Sequence, residues 1–348
     1  MIPKADGSKR PLGIPTIRDR GAQMAVKLVI EPIFEADFCD SSYGFRPKKS
    51  APDAVHDIGY GLNCGYTDVI DADVSQYFDS IPHAKLLAVV AERIVDGGIL
   101  HIIRMWLKAP VVGEDEDGTR RNIGGGKANT QGTPQGGVIS PLLANRYLHL
   151  LDRLWKPQDL QRRLEARLVR YADDQVILID GYRKWDWLAR AAYKRLLEEL
   201  TKLDVRINIE KTRIVDFTRD ESFSFIGFDL CRRKTWQGKW GVRITPRIKA
   251  RSALLSKLKE VFRRFVSQPV GRVIELINPI LRGWVNYFRV GHSSRCFSYV
   301  RDWVEKKIRR YLMRARNRKG FGWNRWSRGW MYQSLGLYSD YQVRYFRS

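Results

Sequence analysis

All of the chain's net charge lies beyond residue 230. Residues 1–230 hold 33 Lys and Arg against 33 Asp and Glu, whereas residues 231–348 hold 29 bases against five acids and carry the entire +24. A neutral body followed by a basic one accounts for this split, and 348 residues at about 150 per domain leaves room for both. The basic part also holds seven of the eleven tryptophans (236, 240, 284, 303, 323, 326 and 330). Bases interleaved with aromatic rings suit a polyanion that offers rings to stack on, so nucleic acid is the leading partner, ahead of a solvated face or an anionic membrane patch. The four cysteines (39, 64, 231, 296) form no CxxC pair, which argues against a zinc finger or a disulfide framework and for a reducing, cytoplasmic setting. No run of about 18 uncharged apolar residues occurs, and no signal segment opens the chain, so no membrane partner is expected. The oligomeric state is not legible.

Hydrophobic periodicity divides the chain at the same place. Over 246–266, Leu254, Leu255, Leu258, Val261, Phe262 and Phe265 recur at three- and four-residue intervals between bases, the mark of an amphipathic helix. Similar patterns run over 270–290 and 296–315, the latter with Phe297, Val300, Val304, Ile308, Tyr311 and Leu312 on one face. Upstream, 69–74, 168–171, 176–179 and 223–230 read as short strands, and 20–38, 84–107, 141–155 and 184–203 as helices. The fold expected is α+β over 1–230, a linker over 231–245, and a basic all-α bundle over 246–348.

Two of the apolar runs end in acids. Asp68-Val-Ile-Asp-Ala-Asp73 closes the first, and Leu168-Val-Arg-Tyr171-Ala-Asp173-Asp174-Gln-Val-Ile-Leu-Ile179 places two adjacent carboxylates between apolar flanks, as in a hairpin whose turn presents acids beside a packed sheet. Adjacent aspartates repel one another unless a cation neutralises them. With Asp73 on a separate strand, three hard oxygen donors could converge on Mg²⁺, which leaves positions free for substrate phosphates. The chemistry natural to such a set is two-metal phosphoryl transfer.

Tyr171-Ala-Asp173-Asp174 resembles the YxDD box of reverse transcriptases, and Asp73 followed by Phe78 resembles the palm motif before it. Further matches keep chain order: Lys9-Arg-Pro-Leu-Gly-Ile-Pro15, Tyr43-Gly-Phe-Arg-Pro47, Gly132-Thr-Pro-Gln-Gly-Gly137, Ile207-Asn-Ile-Glu-Lys211 and Phe225-Ile-Gly-Phe228. Together they resemble the reverse transcriptases of bacterial group II introns, and Asn278-Pro-Ile-Leu-Arg-Gly-Trp-Val-Asn-Tyr287 resembles that family's maturase or thumb domain. The resemblance implies right-hand fingers and palm with an antiparallel palm sheet, followed by a thumb. It implies two Mg²⁺ ions held by Asp73 and Asp173, with Asp174 as third acid and Lys211 as general acid for pyrophosphate. Phe78 would be a steric gate for deoxynucleotides. Lys4, Arg10, Arg18 and Gln135 would meet the dNTP, while Arg46, Gly136, the primer grip at Phe225 and Gly227, and Arg309, Arg310, Arg314 and Arg316 would meet nucleic acid. The implied partners are an RNA template, a DNA primer, dNTPs and group II intron RNA, and the implied activity is RNA-directed DNA synthesis with a role in intron splicing and retrohoming.

Two departures from the family pattern stand out. The Lys-Arg-Pro-Leu-Gly-Ile-Pro motif begins at residue 9, where relatives carry several dozen residues before it, so the chain is expected to be truncated or reduced. No Cys-rich nuclease region follows. A reverse transcriptase recruited to host defence or CRISPR adaptation would share the same site, and a non-catalytic RNA-binding splicing factor would be expected to lack the acids.

Overall fold

The structure, a computed structural model, describes residues 2–3, 9–10, 13–114, 117, 119–134, 136–155, 166–181, 186–219, 221–235 and 237–344. Two compact units form: Met1–Ala54 with Cys64–Asp216, and Val55–Asn63 with Phe217–Ser348.

In chain order the first unit holds β1 (Ile2–Pro3), β2 (Lys9–Arg10), α1 (Ile17–Glu35), the first turn of α2 (Ala51–Asn63), β3 (Asp68–Asp73), α3 (Tyr77–Ser80), α4 (His83–Ala91), α5 (Gly97–Leu107), β4 (Val111–Glu114) and β5 (Arg120–Gly124). It continues with α6 (Ser140–Leu154), β6 (Ala166–Tyr171), β7 (Asp174–Ile179), α7 (Asp186–Lys202) and β8 (Arg213–Asp216). Strands β6-β7-β3-β8 form one antiparallel sheet. Every residue of β7 after Asp174 is buried, while β3 alternates so that Ile70 and Ala72 face the core and Asp71 and Asp73 do not. One face of the sheet is therefore packed throughout, while the other is buried at Val69, Val176 and Leu178 and reaches solvent at the end that carries Asp71, Asp73 and Asp174. The packed side is closed by Leu142, Leu148 and Leu151 of α6 and Leu188, Ala192 and Leu196 of α7.

The helix expected over 84–107 is two helices. Glu92–Asp96 breaks it, and the Asp96 side chain accepts from the Ile99 amide at 2.8 Å to start α5 at Gly97. Helix α2 is not among the expected elements; Gly59 and Gly61 weaken its pattern, whereas Pro52 lies in its first turn, where proline is tolerated. Its start is nonetheless marked by Ser50 and Asp53, which exchange side-chain-to-backbone hydrogen bonds in a capping box.

One buried guanidinium joins the pieces of this unit. Arg170, fully buried in β6, gives all five N–H groups an acceptor: Nε and Nη2 to Asp152 at 2.7 and 2.6 Å, Nη1 to Asn145 at 3.0 Å and to the Ala172 carbonyl at 2.9 Å, and Nη2 to Ser42 at 2.7 Å. The 41–44 segment lies along β6, with the Tyr43 amide donating to the Arg170 carbonyl and the Arg170 amide to that of Ser41, each at 2.8 Å. Gly44 then abuts the turn so closely that a Cβ there would stand 2.3 Å from the Ala172 nitrogen. No residue but glycine fits. Arg46, expected to meet nucleic acid, instead turns inward. Its guanidinium forms a fork with Glu35 (2.9–3.2 Å) and donates to the carbonyls of Cys39 and Ser42, which commits it to holding this loop.

The second unit holds the rest of α2, then β9 (Ser222–Phe225), β10 (Phe228–Lys234), β11 (Trp240–Pro246), α8 (Ile248–Arg264), α9 (Val270–Phe288), α10 (Ser294–Arg314) and α11 (Arg328–Gln333). The linker expected over 231–245 is corrected: residues 231–234 belong to β10 and 240–245 to β11, which pair antiparallel in the sheet β11-β10-β9. The strand expected over 223–230 is likewise two strands, folded at Ile226-Gly227, where Gly227 takes φ +87°. The Tyr287 hydroxyl of α9 donates to the Ile226 carbonyl at 2.8 Å and its ring stacks on Phe228, pinning this turn.

The three basic helices pack as the periodicity requires. Leu254 and Leu258, Ile277 and Leu281, and Val300, Val304 and Ile308 are buried, and α8, α9 and α10 touch pairwise. Arg309 departs from its expected outward role. It is buried, donates from Nε to the Trp326 carbonyl at 3.2 Å and from Nη1 to the buried Glu305 at 3.5 Å, and lies over the Trp323 ring at 4.3 Å. Arg310, Arg314 and Arg316 are exposed.

Removing one partner of a buried pair leaves the other uncompensated, so Arg170→Met should cost ~3–5 kcal/mol in urea unfolding, and Arg170→Met with Asp152→Leu should recover much of it. The arginines of α10 should separate the same way. Arg309→Gln should cost ~1.5–3 kcal/mol, because it breaks a charged buried bond, whereas Arg310→Gln or Arg314→Gln should stay within about 1 kcal/mol.

Candidate active site

The acids of the two apolar runs meet where β3 ends and β7 begins, on the face of the first unit's sheet opposite the one packed by α6 and α7. In the β3–β7 register Asp73 lies directly opposite Asp174, so their side chains share a face, and Asp71 precedes Asp73 by two residues on that same face. Asp173 sits in the two-residue turn between Tyr171 and Asp174, where Ala172 takes φ +57°, a left-handed conformation that tight hairpin turns need and that the Arg170 bond to its carbonyl helps hold. Like charges placed directly opposite destabilise a sheet. The strain is visible in Asp174, whose carboxyl is pushed up to about 7 by loss of hydration and then by Asp173, Asp73 and Asp71, against a smaller opposing pull from Lys211. A bound cation would offset the part of this rise that comes from the neighbouring carboxylates.

Lys211 faces this cluster. Its Nζ lies 3.4 Å from the Asp73 carboxylate. The surrounding motif clasps the end of β3: Asn208 donates its amide to the Asp73 carbonyl at 2.8 Å, Ser75 donates to the Arg206 carbonyl at 2.8 Å, and the Asp73 amide reaches the Thr212 hydroxyl at 3.3 Å. Beyond β3, Phe78 is half-buried against the core and edge-on to Tyr77, with ring centroids 5.6 Å apart. The Gly-rich loop is fastened beside it, since Thr133 donates its amide to the Phe78 carbonyl at 2.6 Å and Gly132 donates to that of Ile81 at 2.8 Å. Gly136, exposed with φ +108°, lies in the same loop.

Asp73, Asp173, Asp174, Lys211, Phe78 and Gly136 are thus carried by neighbouring elements of one unit. Arg18 is exposed on the first turn of α1. Lys4 and Gln135 lie outside the described residues, as does the side chain of Arg10. Phe225, Gly227, Arg310, Arg314 and Arg316 belong to the second unit. Arg170, Asp152 and Asn145 were missed as supports of the turn. The available signal was an arginine inside an apolar strand, which must find a buried acid.

Among the described residues no three ligands already form a metal-binding group. The donor set still fits a hard divalent cation: three carboxylates on one turn and the strand end beside it, one of them raised to about 7 by loss of hydration and then by its acidic neighbours. A carboxyl raised in the folded state binds its proton more tightly there than when unfolded, so stability should fall as pH rises from about 4 to about 7. Asp174→Asn should flatten that fall in metal-free thermal unfolding, and the wild-type fall should also flatten when Mg²⁺ is added.

Comparison with known proteins agrees with this geometry. Residues 2–230 match the family model described as reverse transcriptase (RNA-dependent DNA polymerase), and residues 251–329 match the group II intron, maturase-specific domain. Protein YkfC of Escherichia coli (strain K12) is 35% identical over 72% of this chain and 71% of its own length. The group II intron-encoded protein LtrA of Lactococcus lactis subsp. cremoris is 27% identical over 86% of this chain and 61% of its own. An uncharacterized 91 kDa protein in the cob intron of Schizosaccharomyces pombe is 27% identical over 86% of this chain and 44% of its own. This chain therefore spans less than two thirds of the last two. No described helix is long and apolar enough to cross a membrane. With the acid-bearing hairpin and the basic helical unit each matched by its own model, the chain belongs to the reverse transcriptase family and carries the maturase-specific domain of group II intron proteins.

Proposed function

We propose that this chain extends a DNA primer on an RNA template and binds group II intron RNA, acting in splicing and retrohoming. The observation that carries the reading is the register pair Asp73–Asp174 with Asp173 in the adjoining turn. Divalent metal ions serve this family's chemistry, and two Mg²⁺ held by Asp73 and Asp173 would lower the pKa of the primer hydroxyl and offset charge on the leaving pyrophosphate.

Asp174 would complete the acid set, and a bound cation would favour its ionised form against the loss of hydration and acidic neighbours that raise it. Lys211, 3.4 Å from the Asp73 carboxylate, would balance that acid before substrate enters and then act as the general acid for pyrophosphate. Phe78, held by its own backbone bonds to the Gly-rich loop, excludes a ribose 2′-hydroxyl. Lys4, Arg10, Arg18 and Gln135 remain the proposed triphosphate contacts. In the second unit the turn Phe225-Ile226-Gly227-Phe228 grips the primer, and Arg310, Arg314 and Arg316 meet phosphates. A non-catalytic splicing factor would have no need of mutually repelling acids on one sheet face, since unused like charges only cost stability.

Primer extension with Mg²⁺ tests the reading. Asp73→Asn and Asp173→Asn should each abolish extension while leaving RNA affinity within a few-fold, because the acids lie in the net-neutral part of the chain. Extension near wild type in either variant would end the assignment. In the same assay Phe78→Val should raise ribonucleotide incorporation relative to deoxyribonucleotide by roughly 10-fold or more, the scale of one steric contact.

A further inference from the structure

A cavity of about 330 Å³ opens between α8 and α10 in the second unit. Lys259, Phe262 and Arg263 of α8 with Val266 of the turn that follows it, and Lys307, Arg310, Tyr311 and Arg314 of α10, line it, both sets at spacings of three, one and three. Five cations thus ring one hollow. None of the five is in an ion pair with a described residue, although four of the five acids beyond residue 230 are so engaged. Helix dipoles explain part of the charge, since Arg263 and Arg314 lie in last turns where cations offset carbonyl ends. They do not explain Lys259 and Lys307, which stand further back. The mutual repulsion is felt: loss of hydration, and then Arg310, Lys259 and Arg314, push the Lys307 ammonium below its ordinary value.

The cavity wall is apolar. Phe262 and Tyr311 meet there with ring centroids 6.2 Å apart, and the Tyr311 hydroxyl donates to the carbonyls of Phe265 and Gln268, which holds the ring in place and its OH out of play. Val266, 55% exposed, forms the lip. A cation ring alone would suit any phosphate backbone, but a hollow with aromatic and aliphatic walls suits a phosphate that brings a ring with it.

We propose that this α8–α10 hollow is a nucleotide pocket that takes one unpaired nucleotide of single-stranded RNA, its phosphates against Lys259, Arg263 and Lys307 and its base against the Phe262–Val266 wall. In a duplex the bases are stacked inside and cannot enter, so the pocket prefers unpaired RNA. Only the choice of RNA as the polymer rests on the function proposed above.

The test is equilibrium binding, at several salt concentrations, of a short single-stranded oligoribonucleotide, the same strand paired to its complement, and the same strand with abasic sites. Lys259→Gln/Arg263→Gln/Lys307→Gln should weaken single-strand binding at least about 10-fold and lower its salt slope by about 0.7 for each phosphate no longer neutralised, while changing duplex affinity less than about three-fold. Lys249→Gln/Lys257→Gln/Lys306→Gln removes equal charge from outside the hollow and should cost the single strand less than about three-fold. Wild-type protein should bind the abasic strand several-fold more weakly. Equal losses for single strand and duplex, equal losses in the two triple variants, or indifference to the abasic strand would each overturn the pocket. Circular dichroism checks folding, since all these side chains lie off the helix-packing faces. Primer extension by the wild type, run alongside, reports separately on polymerase function, so failure of that reading would be distinguishable from failure of the pocket.

Discussion

The first unit depends on a positive charge with no access to water. Arg170 is enclosed, and a guanidinium taken out of solvent is tolerable only when every N–H finds an acceptor and a carboxylate balances the charge. Its partners come from three places in the chain: Ser42 in a loop, Asn145 and Asp152 on α6, and Ala172 in the turn. The bond to Ala172 fixes the residue before Asp173, so the loop at 41–44, helix α6 and the acid-bearing turn are set by one side chain. Lysine could not replace it, since three donors at a point cannot reach five acceptors spread around a plane. The acids need such backing because their mutual repulsion pushes the hairpin end away from β3, and only a rigid support behind the turn keeps them close.

That support also explains what the sequence could and could not disclose. The three strands that carry the acids, to within a residue or two at their ends, and the three basic helices were legible, since each is written in local periodicity. The sheet order, with β3 between β7 and β8, was not, because register comes from pairing across a hundred residues or more. Arg46 and Arg170 look alike in sequence, two arginines beside aromatic residues, and only the fold reveals that both point inward to Glu35 and Asp152. The break at 92–96 was legible in principle, because Asp96 before two glycines is a capping residue followed by poor helix formers. Continuous apolar periodicity on both sides hid it.

In the second unit the same competition between burial and charge runs the other way. Glu305, buried in α10, accepts from Arg309, from Arg328 at 2.8 Å and from the Tyr332 hydroxyl at 2.8 Å, so α10 and α11 are joined around one acid. An acid in a segment with only five of them was a sign of a structural task, and its partner four residues on, Arg309, was the arginine to exclude from the surface set. Asp302, Glu275 and Asp340 are likewise tied to Arg328, Arg272 and Arg289. The acids of this unit therefore order its own framework, and the bases left over face a field with little to oppose it.

The two charge patterns suit the two proposed tasks by the way each handles exchange. A nucleic-acid grip works by accumulating cations that release condensed counterions when the polymer arrives, so surplus positive charge is what it requires. A site that must admit and release small cations requires the opposite: acids in excess, with a neutralising group that leaves easily. Lys211 meets that condition, being two-thirds exposed, on a flexible stem, and 3.4 Å from Asp73 rather than locked to it. A guanidinium as enclosed as Arg170 in the same place would hold the acids permanently satisfied and closed to metal. The turn is therefore braced from behind by a charge that cannot move and balanced in front by one that can.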